Sequence, residues 1–183
     1  GSFLTYLAIN GKDMPFHLNF AADGIASSTA DVRVFKNISP AKDGQLHLHF
    51  IATNEFSFIN AIELVPGVRN RLLPIRITAR DSFYTDHLGY IWPPDRFYRG
   101  GTAVERRNPV TGTEDPDLFS SERYGNFDYL ISLAPGTYAL TLGFAETWFG
   151  PKSPGGGGAG SRIFNIFANG APLIRNLDVY REA

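Results

Sequence analysis

Cysteine is absent from this chain of 183 residues, which also contains only one methionine and two tryptophans. The lack of cysteine excludes disulfides, cysteine-ligated zinc and thiol nucleophiles. Neither sign of charge is in excess, because 17 basic and 18 acidic residues give a formal net charge of −1. Without a basic field, and without an apolar run as long as a membrane span, we expect no nucleic-acid partner and no insertion into a membrane.

The abundant residues favour an all-β domain. Aromatic residues make up 14% of the chain, and 19 glycines and 12 prolines interrupt it often, which is typical of short strands joined by turns. No window shows a helical period of 3.6, whereas a period of two recurs along the chain. We predict strands at Gln45–Ala52, Phe58–Val65, Leu73–Arg80, Phe127–Leu133, Thr137–Thr147 and Arg162–Ala168.

Two segments lack this periodicity and are predicted to be long loops, Pro93–Ser121 and Gly150–Gly160. The second contains the run Gly155–Gly158 and is expected to be mobile, as a flexible lid or a linker-like insertion. It does not fit a phosphate-binding loop, because no strand–loop–helix context surrounds it and no Gly-Lys-Ser/Thr follows.

The most informative short motif is FAETWFGP, Phe144 to Pro151. A strand-like run ends at Thr147, and Trp148 and Phe149 come directly before a glycine-rich loop. An aromatic pair at a strand end is more typical of an exposed binding surface than of a core. The alternative for Phe149 is packing beneath the turn that follows it.

Metal binding and catalysis find little support in the sequence. His47 and His49 alternate with leucines, so both face solvent from one strand, and no third ligand is suggested. Asp81, Asp86 and Asp95 are not paired in the way that glycoside hydrolysis requires. We therefore predict a non-catalytic protein with no metal and no cofactor.

One segment of the sequence occurs twice. Residues 9–20 align without a gap on residues 168–179, so that Asn10–Gly11 matches Asn169–Gly170 and Leu18 matches Leu177. Asn-Gly between two strands is a strong predictor of a tight hairpin. The same structural hairpin is therefore expected twice, although any two hairpins with an Asn-Gly turn show some agreement.

These motifs resemble the malectin-type carbohydrate-binding family. Residues 75–183 contain DRFYRGG, ERYGNF, FAETWFG, RIFNIFANG and LDV in the order of the leading part of the family domain. Residues 3–66 resemble its trailing part, through NGKDMPFHLNF, VRVFKNISP, DGQLHLHF and NEFSFINAIEL. The tail of the domain therefore precedes its head.

Two origins explain this order: a circularly permuted domain, or a fragment cut out of register from a tandem array. Gly1–Ser2 looks like a cloning remnant, and we expect residues 3–183 to close into one sandwich in either case. Because one hairpin is duplicated, the displaced copy should form an extra edge. We expect either a monomer with that edge or a domain-exchanged dimer.

The resemblance implies a two-sheet β-sandwich of jelly-roll, galactose-binding-like type, with long loops at one end. It also implies a non-catalytic module whose partner is a carbohydrate ligand, in an extracellular or cell-envelope protein of bacterial type. The other interpretations are a protein- or peptide-binding module and a structural module of a tandem array. Fold alone does not decide between them.

The resemblance also carries over to single residues. Trp148 and Phe149 match the paired aromatics that face the sugar rings in this family, and Tyr124 matches a further sugar-contacting tyrosine. A half-buried tyrosine that closes the long loop is the alternative for Tyr124. Asn126 and Phe127 lie beside it as additional candidates.

A polar candidate comes from the segment before the last family strand. Glu55 lies where the family has an acidic residue, with Asn54 as the neighbouring alternative; a carboxylate there forms charge-assisted bonds to sugar hydroxyls. The chain departs from the family after its two adjacent glycines, because Thr102–Arg107 replaces an expected tyrosine. A preference for glucose disaccharides therefore does not carry over, and the arginines of this segment suit either an acidic sugar or a solvated charge cluster.

Overall fold

A computed structural model of the chain describes residues 5–9, 12–16, 29–52, 57–66 and 73–182. They form an all-β sandwich, which confirms the predicted fold class. The strands are β1 Thr5–Ile9, β2 Lys12–Phe16, β3 Ala30–Ile38, β4 Gln45–Ala52, β5 Ser57–Ile59, β6 Ala61–Pro66, β7 Ile75–Thr78, β8 Tyr84–Thr85, β9 Ile91–Trp92, β10 Tyr98–Glu105, β11 Ser121–Ser132, β12 Tyr138–Ala145, β13 Phe164–Ala168 and β14 Ala171–Leu177.

Two antiparallel sheets make up the sandwich. The front sheet has the order β10-β11-β4-β13-β14, with β5 also paired to β11, and the back sheet has the order β3-β12-β6-β7. A 3-10 helix at Pro116–Phe119 and a short α-helix, α1, at Val179–Glu182 complete the described elements. No helix in these ranges is long and apolar enough to span a membrane.

The alternating sequence of β4 shows why the front sheet has one buried face. Leu46, Leu48 and Phe50 are fully buried in the core, as expected for every second residue of a strand. His47 and His49 lie on the opposite, outer face, where they pair with Asp43 and Asp128 respectively. Among the described side chains, no three His, Asp or Glu groups come together as a metal site.

One core joins the two halves of the chain. Phe58 on β5 lies 6.0 Å from Phe144 and 5.7 Å from Phe164, measured between ring centroids. These rings belong to one buried cluster that includes side chains from both sheets. Residues 57–66 and 162–168 therefore share a core although about a hundred residues separate them, as expected for a non-local β-sandwich.

The predicted strand Phe58–Val65 is divided in the structure. β5 pairs with the front sheet, whereas β6 pairs with the back sheet. The chain crosses between the sheets at Asn60, which is 1% exposed and bonded through its side chain to the backbone of Phe119, Ser121 and Ala145. The apolar run predicted burial but not this change of sheet, because both strands are buried.

The segment Pro93–Ser121, predicted to be a loop, contains the edge strand β10. All residues of β10 but Val104 are exposed, so the strand lacks the apolar alternation from which strands are predicted. Gly100 and Gly101 have φ values of 75° and 65°. A Cβ on Gly100 would lie 2.8 Å from the carbonyl oxygen of Asn126, so the close approach of β10 to β11 requires glycine at this position.

Asp95 closes the side of the sandwich next to β10. Its carboxylate accepts hydrogen bonds from Arg123 Nε at 2.8 Å and from the Tyr129 hydroxyl at 2.7 Å. The backbone nitrogen of Asp95 donates to the carbonyl of Arg80 after β7. Asp95 therefore links the front sheet, through its carboxylate, to the segment that follows β7, through its backbone nitrogen.

The two copies of the Asn-Gly hairpin lie in different places. β13 and β14 form a hairpin within the front sheet, where β13 pairs with β4. β1 and β2 form a separate two-stranded sheet, with Ile9 opposite Lys12, and β1 lies beside β14. Among the described strands of the two copies, only the β13–β14 hairpin is paired within one of the two sandwich sheets.

Helix α1 is attached to the back sheet by a buried charge cluster. Arg33 bonds to Asp31 at 2.8 Å and to Glu182 at 2.5 Å. Burial raises the pKa of both carboxyls, and that of Glu182 reaches about 7. One guanidinium is therefore shared by two carboxyl groups, of which Glu182 is partly protonated at neutral pH.

We predict that this cluster makes stability depend on pH. Folded Glu182 retains its proton between its ordinary pKa of 4.5 and about 7, whereas the unfolded chain releases it, so the free energy of unfolding falls as pH rises through this window. Glu182→Gln should raise stability at pH 8 by about 1–3 kcal/mol and flatten the slope. Urea denaturation at pH 5 and pH 8 measures both, with Glu63→Gln as the arginine-paired control. Equal slopes for wild type and Glu182→Gln would exclude this role for Glu182.

Candidate functional site

The aromatic pair lies in a turn directly after β12. Trp148 and Phe149 are both half-buried, whereas the six residues before them are buried. Glu146 Oε1 accepts the backbone N–H of Trp148 at 2.9 Å and that of Phe149 at 3.0 Å. The Glu146 carboxylate therefore stabilises the turn, because it accepts hydrogen bonds from two N–H groups that lie beyond the end of β12.

Four charged side chains alternate beneath this turn. Arg106 Nη2 lies 2.9 Å from Glu122 Oε1, which is 3.6 Å from Arg162 Nη1, and Arg162 Nε lies 3.1 Å from Glu146 Oε2. Glu122, Glu146 and Arg162 are almost completely buried. We call these four residues the ionic chain. Because the ionic chain contains two arginines and two glutamates, its positive and negative charges are equal in number.

The ionic chain touches the aromatic pair through its arginines. The guanidinium carbon of Arg106 lies 4.6 Å from the centroid of the Trp148 ring. The guanidinium of Arg162 lies 5.2 Å from Phe149 and 4.3 Å from Phe58. These distances are those of cation–π contacts, so both rings of the pair rest against positive charge.

Hydrogen bonding within the ionic chain is incomplete. Glu122 Oε2, Arg106 Nε and Arg162 Nη1 are buried without a hydrogen-bond partner, and the 3.1 Å contact between Arg162 and Glu146 is an ion pair without hydrogen-bond geometry. Burial raises the pKa of Glu146, an effect that Arg162 opposes. Buried polar groups left in this state call for a specific explanation, and a functional role is one of them.

The glycine-rich loop is organised by hydrogen bonds, in contrast to the mobility expected from its composition. Gly155 N donates to the carbonyl of Trp148 at 2.8 Å, and Gly160 N donates to Asp178 Oδ2 at 2.6 Å. A Cβ on Gly155 would lie 2.6 Å from the indole nitrogen of Trp148. Glycine thus allows the loop to lie directly against the edge of the indole ring.

Tyr124 lies on β11, two residues after Glu122. Two residues span about 6.6 Å along a strand, so the backbone of Tyr124 lies about this far from that of Glu122. It is half-buried against the core and lies opposite Thr102 of β10 and Phe58 of β5. This position combines the two interpretations of Tyr124, since the residue both packs on the core and retains an exposed part.

Asn126 and Phe127 have different environments. Asn126 is exposed, and its Oδ1 accepts the N–H of Ala52 at 3.2 Å. Phe127 is only 3% exposed and stacks on Phe50 with ring centroids 4.5 Å apart. Phe127 therefore belongs to the core and offers no surface to a ligand.

Asn54 and Glu55 lie outside the described residues. The chain on either side of them is fixed near Asn126, because Ala52 bonds to its side chain and Ser57 Oγ donates to the carbonyl of Gly125. Ala52 and Ser57 therefore both lie beside the strand that carries Tyr124.

Asp86 and Asp115 have structural partners. Asp86 Oδ2 accepts the indole N–H of Trp92 at 2.9 Å, and Asp86 Oδ1 accepts the N–H of Leu88 and Tyr90. His87 Nδ1 lies 2.6 Å from Asp115 Oδ2. Hydrogen bonding to this carboxylate raises the pKa of His87 and lowers that of Asp115.

Sequence reasoning missed the ionic chain as part of the site. Glu122 and Glu146 occur in the ERY and FAE motifs, yet their roles were not assigned. Glu146 follows an uninterrupted apolar run, Leu142–Ala145, and a charged residue in such a position is rarely buried without a partner. A glutamate directly after an apolar strand therefore indicated a buried ion pair. The sequence does not identify its partner, because Arg162 comes from another loop.

Comparisons with known proteins agree with these motifs. The family model for the malectin domain matches residues 73–183, more than half of the chain. A kinesin-like protein of Oryza sativa, KIN-14E, is 38% identical over 96 residues, which cover 47% of this chain and 8% of that protein. The kinesin-like protein KIN-14Q of Arabidopsis thaliana is 38% identical over 82 residues, 44% of this chain and 7% of its own length.

The chain spans less than a tenth of the length of these curated relatives. Both are plant proteins, so they give no support to the expected bacterial type. No solved structure matches. The match over residues 73–183 includes the DRFYRGG, ERY, FAETWF and LDV motifs, and the chain belongs to the malectin domain family.

Proposed function

We propose that this chain is a non-catalytic module that binds a carbohydrate by stacking a sugar ring on Trp148. Phe149 and Tyr124 extend the apolar surface beside it. The observation that carries the proposal is the aromatic pair, which is held half-buried after β12 by the Glu146 carboxylate. Sugars offer apolar CH faces to aromatic rings and hydroxyls to surrounding polar groups.

The polar groups that we propose for the hydroxyls come from β11 and from the segment before β5. Asn126 is exposed two residues after Tyr124 on β11, and residues 52 and 57, which flank Asn54 and Glu55 in the sequence, both bond to β11 at Gly125–Asn126. A carboxylate such as Glu55 would accept two vicinal hydroxyls in charge-assisted bonds. Family membership supports a binding module and not an enzyme.

A glycan array followed by titration calorimetry tests the proposal. Trp148→Ala should weaken binding of the best array ligand at least about tenfold, because a central aromatic residue dominates a stacking site. The melting temperature should fall by only about 3–6 °C, since the half-buried ring gives up one cation–π contact and its packing against the loop at Gly155. Phe83→Ala is the matched control, because Phe83 is 70% exposed outside this site. Unchanged affinity in Trp148→Ala would refute the stacking site.

A protein- or peptide-binding role is the second candidate, and one surface favours it. Phe83, Leu88 and Ile91 are each more than half exposed around the β8–β9 hairpin, and adjacent exposed apolar residues often mark protein contacts. The relatives are kinesin-like proteins in which the matched segment is a small part. A peptide array distinguishes the candidates, because peptide binding lost in Phe83→Ser but kept in Trp148→Ala would favour this second role.

We also propose that residues 29–66 and 73–182 complete one malectin-type sandwich in permuted order. The shared core supports this order, since Phe58 packs on both Phe144 and Phe164. The position of β1 beside β14 supports an extra edge formed by the displaced hairpin. Light scattering separates the monomer, which we favour, from the domain-exchanged dimer.

A further inference from the structure

A single oxygen atom accepts both backbone N–H groups of the aromatic pair. Glu146 Oε1 accepts hydrogen bonds from Trp148 N and Phe149 N, two and three residues further along the chain. A side chain that bonds to successive N–H groups of this kind restricts the backbone angles of the residues between. The direction in which both rings leave the turn therefore depends on where this carboxylate lies.

The position of the carboxylate depends in turn on the rest of the ionic chain. Glu146 Oε2 faces Arg162 Nε at 3.1 Å, and Arg162 is itself 3.6 Å from Glu122. Glu122 is completely buried and also bonds to Arg106 at 2.9 Å. Residues before β13, on β11 and after β10 thus meet behind one turn.

The same ionic chain fixes the rings. Arg106 lies over Trp148 at 4.6 Å, and Arg162 lies between Phe149 and Phe58. Each ring of the pair is therefore restrained at its backbone by a carboxylate and at its face by a guanidinium. An aromatic pair restrained at both places loses little conformational entropy when a ligand stacks on it.

We propose that Glu146 is the positioning residue of the aromatic pair, and that Arg162, Glu122 and Arg106 hold its carboxylate and the two rings in the orientation that receives a ligand. This inference rests on the proposed carbohydrate site. A purely stabilising role explains the arrangement poorly, because buried ion pairs rarely stabilise more than apolar residues of similar volume. Unpaired buried atoms, such as Glu122 Oε2, add a cost that an apolar core would avoid.

Acidification should loosen this arrangement. The charged groups that face Glu146 are Arg162 and, beyond it, Glu122 with its partner Arg106. Burial raises the pKa of Glu146 above 4.5, so its carboxyl takes up a proton at a higher pH than an ordinary glutamate. A neutral carboxyl is a weaker acceptor and no longer attracts Arg162.

Tryptophan fluorescence tests the positioning without any ligand. The difference spectrum between wild type and Trp148→Phe isolates Trp148 from Trp92, the other tryptophan of the chain. Glu146→Ala should increase acrylamide quenching of Trp148 about twofold, as a half-buried ring becomes exposed. Glu146→Gln, which keeps the shape and one acceptor, should give an intermediate value that is independent of pH. Wild type should converge on that value as the pH is lowered.

Maltose titration provides the second measurement. If wild type binds maltose or an array glycan, Glu146→Ala should bind that ligand about tenfold more weakly, because two rings that are no longer held in place must be ordered on binding. Glu146→Gln should recover part of the affinity. If wild type binds neither maltose nor any array glycan, the proposed function fails, while the fluorescence measurements still decide the positioning role.

Glu63→Ala is the matched control, because Glu63 also pairs with an arginine, Arg76 at 2.7 Å, but lies on the back sheet. It should leave the Trp148 signal unchanged. Quenching in Glu146→Ala equal to that of wild type would overturn the proposal. If Glu146→Ala does not fold, Glu146→Gln decides: a pH-independent Trp148 spectrum supports the proposal, and a spectrum that titrates as wild type does overturns it.

Discussion

A fragment of residues 73–183 should fail to fold, although it is the segment that matches the family model. It lacks β4, which lies between β11 and β13 in the front sheet, and β6, which lies between β12 and β7 in the back sheet. Each sheet would lose a central strand and expose the core face of its neighbours.

The expected loss is comparable to the whole stability of a domain. Six large side chains from β4 to β6 are completely buried, and each contributes about 2 kcal/mol on burial, against a total stability of about 5–15 kcal/mol. They are Leu46, Leu48, Phe50, Phe58, Ile62 and Leu64. The isolated fragment should show no cooperative thermal transition by near-ultraviolet circular dichroism, and a peptide of residues 29–72 added in trans should restore one.

Deletion of residues 1–28 is the matched control. Of the described strands, this deletion removes β1 and β2, which form their own two-stranded sheet, so the sandwich keeps all its central strands. We expect cooperative unfolding to persist, with a small change in melting temperature. A cooperative transition in residues 73–183 alone would show instead that the first half of the chain is not part of that domain.

Much of the fold was predictable because its central strands are buried on one face. β4 was predicted with its observed bounds, and the buried alternation of β12 and β13 gave their approximate bounds. β10 was not predicted, since an edge strand with both faces exposed has no apolar period. The β8–β9 hairpin is only two residues long on each side, which is too short for any period to appear.

The candidate site was predictable only in part, for a different reason. Trp148 and Phe149 were identified because ring size and position next to a loop are visible in the sequence. The side chains that hold them, Glu146 and Arg162, are sixteen residues apart and meet only after β13 pairs with β4. Phe127 was predicted to be in the site because it is close to Tyr124 in the sequence. The pairing of β10 with β11 shifts register between Tyr124 and Phe127, and Phe127 lies in the core.

Asn60→Ala should be the most damaging single substitution outside the site. The side chain of Asn60 accepts the N–H of Ala145 at 2.7 Å and donates to the carbonyls of Phe119 at 3.0 Å and Ser121 at 2.7 Å. Alanine would leave these three backbone groups buried without a partner, at about 1–3 kcal/mol each if water cannot reach them. We therefore expect a loss of about 4 kcal/mol and a fall in melting temperature of about 10 °C.

The same substitution should also act on the crossing between the two sheets. The backbone of Asn60 donates to Gly143 O on β12, and its carbonyl accepts from Ala79 N after β7, so its main chain belongs to the back sheet while β5 before it pairs with the front sheet. Asn126→Ala is the control for loss of an exposed asparagine, since its bond to Ala52 can be replaced by water at a cost below about 1 kcal/mol. Urea unfolding compares the two variants. A loss in Asn60→Ala no larger than in Asn126→Ala would mean that the three backbone groups find other partners, and that the crossing does not depend on this amide.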